Sequence, residues 1–128
     1  MANYRQKILN VGLNESLVRA RSAILERAGY HVVSALNLLQ IEEACAGYTS
    51  FDLVIIGQAL PKPEKRRIMG AVRKLCGAMP ILELYLQGTT PVGEEADEQL
   101  ASSGEADTLL AKVAEVLTKK RNKRRAAY

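Results

Sequence analysis

Short runs of mostly aliphatic residues recur along the chain, and longer segments between them repeat apolar residues every three or four positions. The first pattern is typical of strands and the second of amphipathic helices. Strands are predicted at residues 7–13, 30–36, 51–56 and 80–86. A strand followed repeatedly by a helix, with short connections, predicts a doubly wound parallel α/β sheet with right-handed crossovers.

The predicted helices each carry an apolar stripe. Asn14 and Asn37 are suited to cap the first two, and Gly29 is suited to end the first. The stripe of the first helix comprises Leu17, Ala20, Ile24, Leu25 and Ala28, that of the second Leu38, Ile41, Ala44 and Cys45, and that of the last Leu109, Leu110, Val113, Val116 and Leu117. A third helix at about 64–76 sets Ile68, Met69, Val72 and Leu75 against a basic face of Lys65, Arg66, Arg67, Arg73 and Lys74. We expect that basic face to be solvated.

The segment FDLVII at 51–56 is apolar almost throughout, as expected of a central parallel strand that is covered on both faces. Pro61 and Pro63 forbid its continuation in the sheet. The stretch from 87 to 104 has little apolar periodicity, and a short fifth strand is predicted near 98–101. The sequence therefore predicts five parallel strands with 51–56 at the centre.

The length of 128 residues is sufficient for one domain. Charge is unevenly distributed along it. The net charge of +4 comes from a basic segment, because the rest of the chain is close to neutral. Its cations are Lys119, Lys120, Arg121, Lys123, Arg124 and Arg125. We predict a domain at 1–118 and a basic tail at 119–128, either a solvated helical extension or a disordered tail. Weak association of this tail with nucleic acid or another anionic surface is an alternative function.

The residues offer no recognisable catalytic or metal-binding motif. Cys45 and Cys76 have neither CxxC spacing nor a nearby histidine, so we interpret both as packing residues. The motifs GxGxxG, GxxxxGK[ST] and GxSxG are absent. We expect no enzymatic activity and no cofactor. The lack of a secretory signal or a long apolar run predicts a cytoplasmic protein without a membrane span.

The order of segments resembles the CheY-like receiver domains of two-component response regulators. KILNVGLNESL is similar to the opening strand and acidic turn, ILERAGYHVVSA to the first helix and second strand, and FDLVIIGQALP to the third strand. VRKLCGAMPILEL and LLAKVAEVL are similar to later segments. The resemblance implies a flavodoxin-like fold. The segment QGTTPVGEEA is shorter than the family's equivalent, so the fourth helix is expected to be shortened or missing.

The resemblance also locates the positions of the family's phosphorylation site. Such receivers use a phosphoacceptor aspartate, an acidic pair that helps to hold Mg²⁺, a hydroxyl residue and a lysine. The matching positions are Gly57, the pair Gly12 and Leu13, Tyr85, and Ser102. None of these residues is a carboxylate, so neither aspartyl phosphorylation nor a Mg²⁺ site of the family's kind is expected.

The leading hypothesis is a pseudo-receiver, that is, a phosphorylation-independent protein-interaction module in two-component (phosphorelay) signal transduction. Its binding energy would come from surface groups and its partner would be a protein, with a homodimer as one arrangement. The candidate surface comprises Tyr85, Gly88, Thr89, Thr90, Glu94, Glu95, Arg66 and Arg67.

Overall fold

The computed structural model describes residues 5–47, 50–93, 95–102 and 104–126. Within them the strands are β1 Lys7–Val11, β2 His31–Ala35, β3 Leu53–Ile56, β4 Ile81–Leu86 and β5 Glu98–Ser102. The helices are α1 Glu15–Arg27, α2 Leu38–Ala46, α3 Lys62–Cys76 and α4 Ala106–Ala126. Each predicted strand is confirmed, including the short fifth strand.

All strands lie parallel in one sheet with the order β2-β1-β3-β4-β5. This order is that of flavodoxin-like folds, in which ligands bind beyond the carboxyl ends of the strands. Strand β3 is central, and all four of its residues are buried. The predicted fold class and the central position of this strand are therefore confirmed.

Two apolar layers cover the two faces of the sheet, because successive strand residues point to opposite sides. One layer packs Val54 and Ile56 of β3 against α2 and α3. The other packs Leu53 and Ile55 against α1 and α4. Alternate residues of β3 thus pack against different pairs of helices on the two faces of the sheet.

Local sequence signals define the ends of α1 and α2. The side chains of Asn14 and Asn37 accept hydrogen bonds from the backbone N–H groups of Leu17 and Gln40, at 3.1 and 2.9 Å. Gly29 follows α1 with φ of 103°, a conformation that glycine adopts at low cost. These predicted caps are confirmed.

The buried stripe of α1 differs from the one predicted. Val18, Arg21, Ser22 and Leu25 are buried, whereas Leu17, Ala20 and Ala28 are exposed. The prediction was wrong because it counted only apolar residues, and two polar residues occupy the inner face of this helix.

The connection from β4 to β5 contains no helix in its described part, residues 87–93 and 95–97. Val92 and Ala96 pack against the core layer formed with α2 and α3. The expected loss of the fourth helix of receivers is confirmed, and a packed loop takes its place.

The two cysteines pack against the core layer formed with α2 and α3, as predicted, and they are also paired as a disulfide, which was not predicted. Cys45 lies in the last turn of α2 and Cys76 is the last residue of α3, with their Cα atoms 5.1 Å apart. The two residues are 31 positions apart in sequence. Spacing alone cannot reveal a pair brought together by helix packing.

Candidate functional site

The carboxyl edge of the sheet brings the matched positions together. Gly12 follows β1 and Gly57 follows β3, and these strands are neighbours. Tyr85 lies near the end of β4, where the adjacent β5 ends at Ser102. Leu13, next to Gly12, is exposed to solvent. The structure thus places these residues along the edge at which flavodoxin-like folds bind ligands.

A side chain on either glycine would crowd its neighbours. A Cβ atom on Gly57 would lie 3.0 Å from Nη2 of Arg21 and 3.2 Å from the carbonyl oxygen of Val11. A Cβ atom on Gly12 would lie 2.9 Å from Cγ2 of Val18. A carboxylate at either position would therefore require its neighbours to move.

The space beside Gly57 is occupied by the guanidinium group of Arg21, which extends from α1. The residue is only 6% exposed. Its Nη1 donates to Oδ1 of Asn10 at 2.8 Å, and its Nη2 donates to Oε1 of Gln58 at 3.2 Å. Burial lowers the pKa of Arg21 to about 10, so the group keeps its charge at neutral pH. The positive charge of the Arg21 side chain thus lies at the ends of β1 and β3.

A buried polar network fixes the position of this cation. Asn10 is fully buried, and its Nδ2 donates to the carbonyl oxygen of Val18 at 3.0 Å and to Oγ of Ser22 at 2.9 Å. Ser22 in turn shares a 2.8 Å hydrogen bond with Ser34 of β2. These bonds orient the Asn10 carbonyl oxygen toward Arg21.

A buried ion pair lies on the α3 side of the same edge. Lys65 is 4% exposed and Glu83 is fully buried, with Nζ and Oε2 3.1 Å apart. Lys65 Nζ also donates to the carbonyl oxygen of Leu84 at 2.6 Å. The prediction that Lys65 belongs to a solvated face was wrong, because it lies on the same side of α3 as Ile68, Met69 and Val72.

The Glu83 carboxylate also holds the loop that replaces the missing helix. It accepts the backbone N–H of Val92 at 2.7 Å and that of Gly93 at 2.9 Å. Lys62 at the start of α3 reaches the same loop and donates to Oγ1 of Thr90 at 2.6 Å. The connection between β4 and β5 is therefore tied to both the sheet and α3.

The predicted interaction surface is dispersed over this loop and α3. Thr89 and Thr90 are exposed, Gly88 has φ of 90°, and Tyr85 is half-buried. Arg66 and Arg67 are exposed, and Arg67 pairs with Glu64. The carbonyl oxygen of Glu95 accepts from Arg73, whereas Glu94 lies outside the described residues.

Arg73, the other basic residue misassigned to the solvated face, binds the amino edge of the sheet. It donates to the carbonyl oxygen of Met79 at 2.7 Å and to Oδ2 of Asp97 at 2.9 Å. Asp97 also accepts the backbone N–H of Ile81 at 2.8 Å. The prediction of solvation is corrected here too, since these acceptors lie within reach of the long arginine stem.

An open cavity of about 510 Å³ lies at this amino edge. Its wall includes Phe51, Cys76, Met79, Glu98 and Lys119. Glu98 accepts hydrogen bonds from Lys112 and Lys119, both at 3.0 Å. The cavity is thus distinct from the matched phosphorylation-site positions, which lie at the opposite ends of the strands.

The basic segment continues α4 as a helix to Ala126. Val116 and Leu117 are the last buried residues of this helix whose side chains are described. Lys119 pairs with Glu98 and Glu115. Lys120, Arg121, Lys123, Arg124 and Arg125 belong to the continuing helix.

The described residues offer neither a metal cluster nor a membrane span. No cluster of three or more histidine, cysteine, aspartate or glutamate residues suited to a metal ion occurs among them. No helix in the described part of the chain has the length and apolar character needed to cross a membrane.

Known structures were compared with this chain as a whole. A response regulator receiver domain from Methanospirillum hungatei is similar with a TM-score of 0.76 and 17% identity, covering 93% of this chain and 99% of the other. Chemotaxis protein CheY4 of Vibrio cholerae gives a TM-score of 0.71 and 27% identity, covering 88% and 99%. The fold is that of a receiver domain.

A third similar structure is the N-terminal domain of a response regulator/sensory box/GGDEF three-domain protein from Carboxydothermus hydrogenoformans. Its TM-score is 0.75 at 20% identity, with 92% of this chain and 98% of the other covered. No protein-family model matches the sequence, and no curated protein matches it significantly. The chain thus has a receiver fold at low sequence identity to these structures.

The sequence analysis missed Asn10, Arg21, Lys65 and Glu83. Each carried a signal, because a polar residue stood within an aliphatic strand or among the apolar positions of a helix. The ion pair of Lys65 with Glu83 could not be predicted from such local patterns, because the two residues lie on separate elements.

Proposed function

We propose that the chain is a phosphorylation-independent receiver-like module that binds a protein partner in two-component (phosphorelay) signalling. The observation that carries the proposal is the Arg21 guanidinium beside Gly57, at the position matched to the phosphoacceptor. A receiver needs a carboxylate nucleophile and acidic Mg²⁺ ligands at this edge. In this chain Gly57 occupies the nucleophile position, and the Arg21 guanidinium lies beside it.

The proposal assigns the chain no enzymatic activity and no resident cofactor, and it assigns binding to surface groups. The loop from Gly88 to Gly93 supports this assignment, because Glu83, Lys65 and Lys62 hold it in place. An ordered loop loses less conformational entropy on binding than a mobile one. A cytoplasmic location follows from the signalling role and is part of the proposal.

A phosphorylation assay tests the central claim. The intact protein is incubated with acetyl phosphate and Mg²⁺, and separately with beryllofluoride and Mg²⁺, beside a receiver domain that is known to autophosphorylate. We expect no phosphoryl adduct in the intact mass and no change in amide chemical shifts. A stoichiometric aspartyl phosphate on this chain would refute the proposal.

Partner binding is tested on the surface itself. A partner captured from cell extract is identified by mass spectrometry and then titrated against the purified chain. Replacing Thr89 and Thr90 by arginine should weaken that binding at least about tenfold, because bulky charges would disturb a closely packed interface. The matched change of the exposed Glu42 on α2 to arginine should leave it unaltered. Equal affinity for all three proteins would remove this loop from the proposed surface.

A second candidate function is association with nucleic acid through the basic segment. The observation that favours it is the continuation of α4 to Ala126, which carries these cations on a helix beyond the last described buried residues. Binding to DNA at low salt should disappear when residues 119–128 are deleted, and it should weaken steeply with added salt. Binding that survives the deletion would exclude the segment as its source.

A further inference from the structure

Helix α2 has the fewest buried anchors among the helices whose side chains are fully described. Its nine residues include one fully buried side chain, Ile41, while Ala44 and Cys45 are half-buried. Leu39 in its first turn is 63% exposed. By contrast, α1 and α3 each bury four side chains. Helices with few buried contacts open locally more readily than the core of a domain.

The disulfide attaches the end of this helix to a better-anchored one. Cys45 lies in the last turn of α2, and Cys76 ends α3, whose Ile68, Met69 and Val72 are buried. The Cα separation of 5.1 Å lies within the normal range for a disulfide. The bond therefore supplies a covalent link where noncovalent packing is sparse.

Cys76 lies at the wall of an open cavity. Cys76 is half-buried and forms part of the wall of the 510 Å³ cavity at the amino edge of the sheet. The cavity is open and of a size that admits small molecules. A low-molecular-weight thiol can therefore approach Cys76 without prior unfolding of the domain.

We propose that the Cys45–Cys76 disulfide is a reversible redox switch that controls how firmly α2 is attached to the domain. A small-molecule thiolate attacks Sγ of Cys76, forms a mixed disulfide and releases Cys45 as a thiolate. A second small thiolate attacks the sulfur of the bound thiol, and Cys76 leaves as a thiolate. Two electrons have then passed to the protein, the reductant leaves as its own disulfide, and the two released cysteine thiolates take up protons from water.

The redox state of the compartment determines whether this disulfide can have a regulatory role. Disulfides in reducing compartments are usually redox-sensing or catalytic rather than permanent. The biological role of the switch rests on the proposed cytoplasmic signalling function, whereas the thiol exchange itself does not. A receiver-like module without a phosphoacceptor would then respond to a different chemical input.

Hydrogen exchange on the intact protein tests the proposal. The chain is prepared oxidised, and one portion is reduced with glutathione under native conditions and checked by thiol alkylation and intact mass. Amides of residues 38–46 should exchange about tenfold faster or more in the reduced protein, whereas those of β1, β3 and β4 stay protected. Reoxidation with glutathione disulfide should restore the slow exchange.

Two variants separate the bond from other effects of reductant. Cys45→Ser and Cys76→Ser should each show fast exchange in α2, and glutathione should not change it. A disulfide that resists glutathione in the folded protein, unchanged exchange in α2 after reduction, or unfolding of the whole domain on reduction would each overturn the switch. A phosphoryl adduct in the separate phosphorylation assay would overturn the proposed function and leave the exchange result standing.

Discussion

At the scale of single residues, the guanidinium of Arg21 places a buried charge at the carboxyl edge. A buried charge loses hydration, and only good hydrogen bonds offset that loss. Arg21 has two such bonds, to the neutral amide oxygens of Asn10 and Gln58. Arginine suits the position because its pKa, lowered to about 10, still leaves it charged at neutral pH.

Replacing Arg21 should destabilise the domain. Arg21→Ala leaves the buried Oδ1 of Asn10 without this donor, so we expect the free energy of unfolding to fall by about 1–3 kcal/mol. Urea denaturation followed by circular dichroism measures the change. Arg19→Ala on the same helix is the control, because the side chain of Arg19 is exposed and pairs with the exposed side chain of Glu15. Equal stability of the two variants would contradict the structural role of Arg21.

The Lys65–Glu83 pair should be more sensitive still. Glu83→Gln keeps the shape of the side chain but leaves a buried ammonium group without its counter-charge, a change that typically costs about 3–5 kcal/mol. Denaturant unfolding again gives the value. Glu64→Gln removes the exposed partner of Arg67 and should change stability by less than about 1 kcal/mol. If Glu83→Gln lowered the free energy of unfolding as little as Glu64→Gln, the Lys65–Glu83 pair would contribute little to stability.

At the scale of elements, the sequence predicted the strands well because their hydrophobic runs and flanking prolines are local signals. The loss of the fourth helix also had a local signal, since QGTTPVGEEA is shorter than the equivalent segment of receivers. The inner face of α1 was not predicted, because Arg21 and Ser22 are buried by partners on other strands and loops. Likewise, the disulfide depends on how α2 and α3 pack rather than on the spacing of their cysteines.

A cluster of ion pairs joins α4 to the edge strand β5. Glu98 of β5 accepts from Lys112 and Lys119 of α4, and Glu115 pairs with the same two lysines. The hydrogen bonds from Lys119 and Lys112 lower the pKa of Glu98, and the hydrogen bond to Glu98 raises the pKa values of both lysines. The cluster thus links the last helix to the last strand by charge as well as by packing.

The stabilisation from Glu98 should depend on pH in a defined direction. Because the pKa of Glu98 is lower in the folded chain, its contribution is complete above the usual glutamate value of 4.5 and is lost as pH falls through the folded value. Glu98→Gln should therefore lower the melting temperature at neutral pH and reduce the difference between neutral and acidic solution. Glu42→Gln on the exposed surface of α2 is the control. A carboxyl titration of Glu98 by NMR that is centred at or above 4.5 would contradict the predicted direction.

At the scale of the whole molecule, the fold is that of a receiver domain, and no carboxylate stands at the positions matched to its phosphorylation site. Buried charges now hold both sides of the carboxyl edge, with Arg21 beside β1 and β3 and Lys65 beside β4. Both cations are attached to helices and remain in place without any ligand. The edge at which receivers respond to metal and phosphate is therefore held by permanent internal contacts.

This arrangement predicts that the stability of the protein is indifferent to Mg²⁺. A ligand that binds only the folded state raises stability by about 2.7 kcal/mol at a hundred times its dissociation constant, so an intact receiver site should respond to the metal. We expect this chain to melt at the same temperature in millimolar Mg²⁺ and in EDTA, as measured by calorimetry. The variant Arg21→Ala, Leu13→Asp, Gly57→Asp removes the cation and adds two carboxylates, and Mg²⁺ should raise its melting temperature. A rise of similar size in the unaltered chain would show that Arg21 does not substitute for the metal.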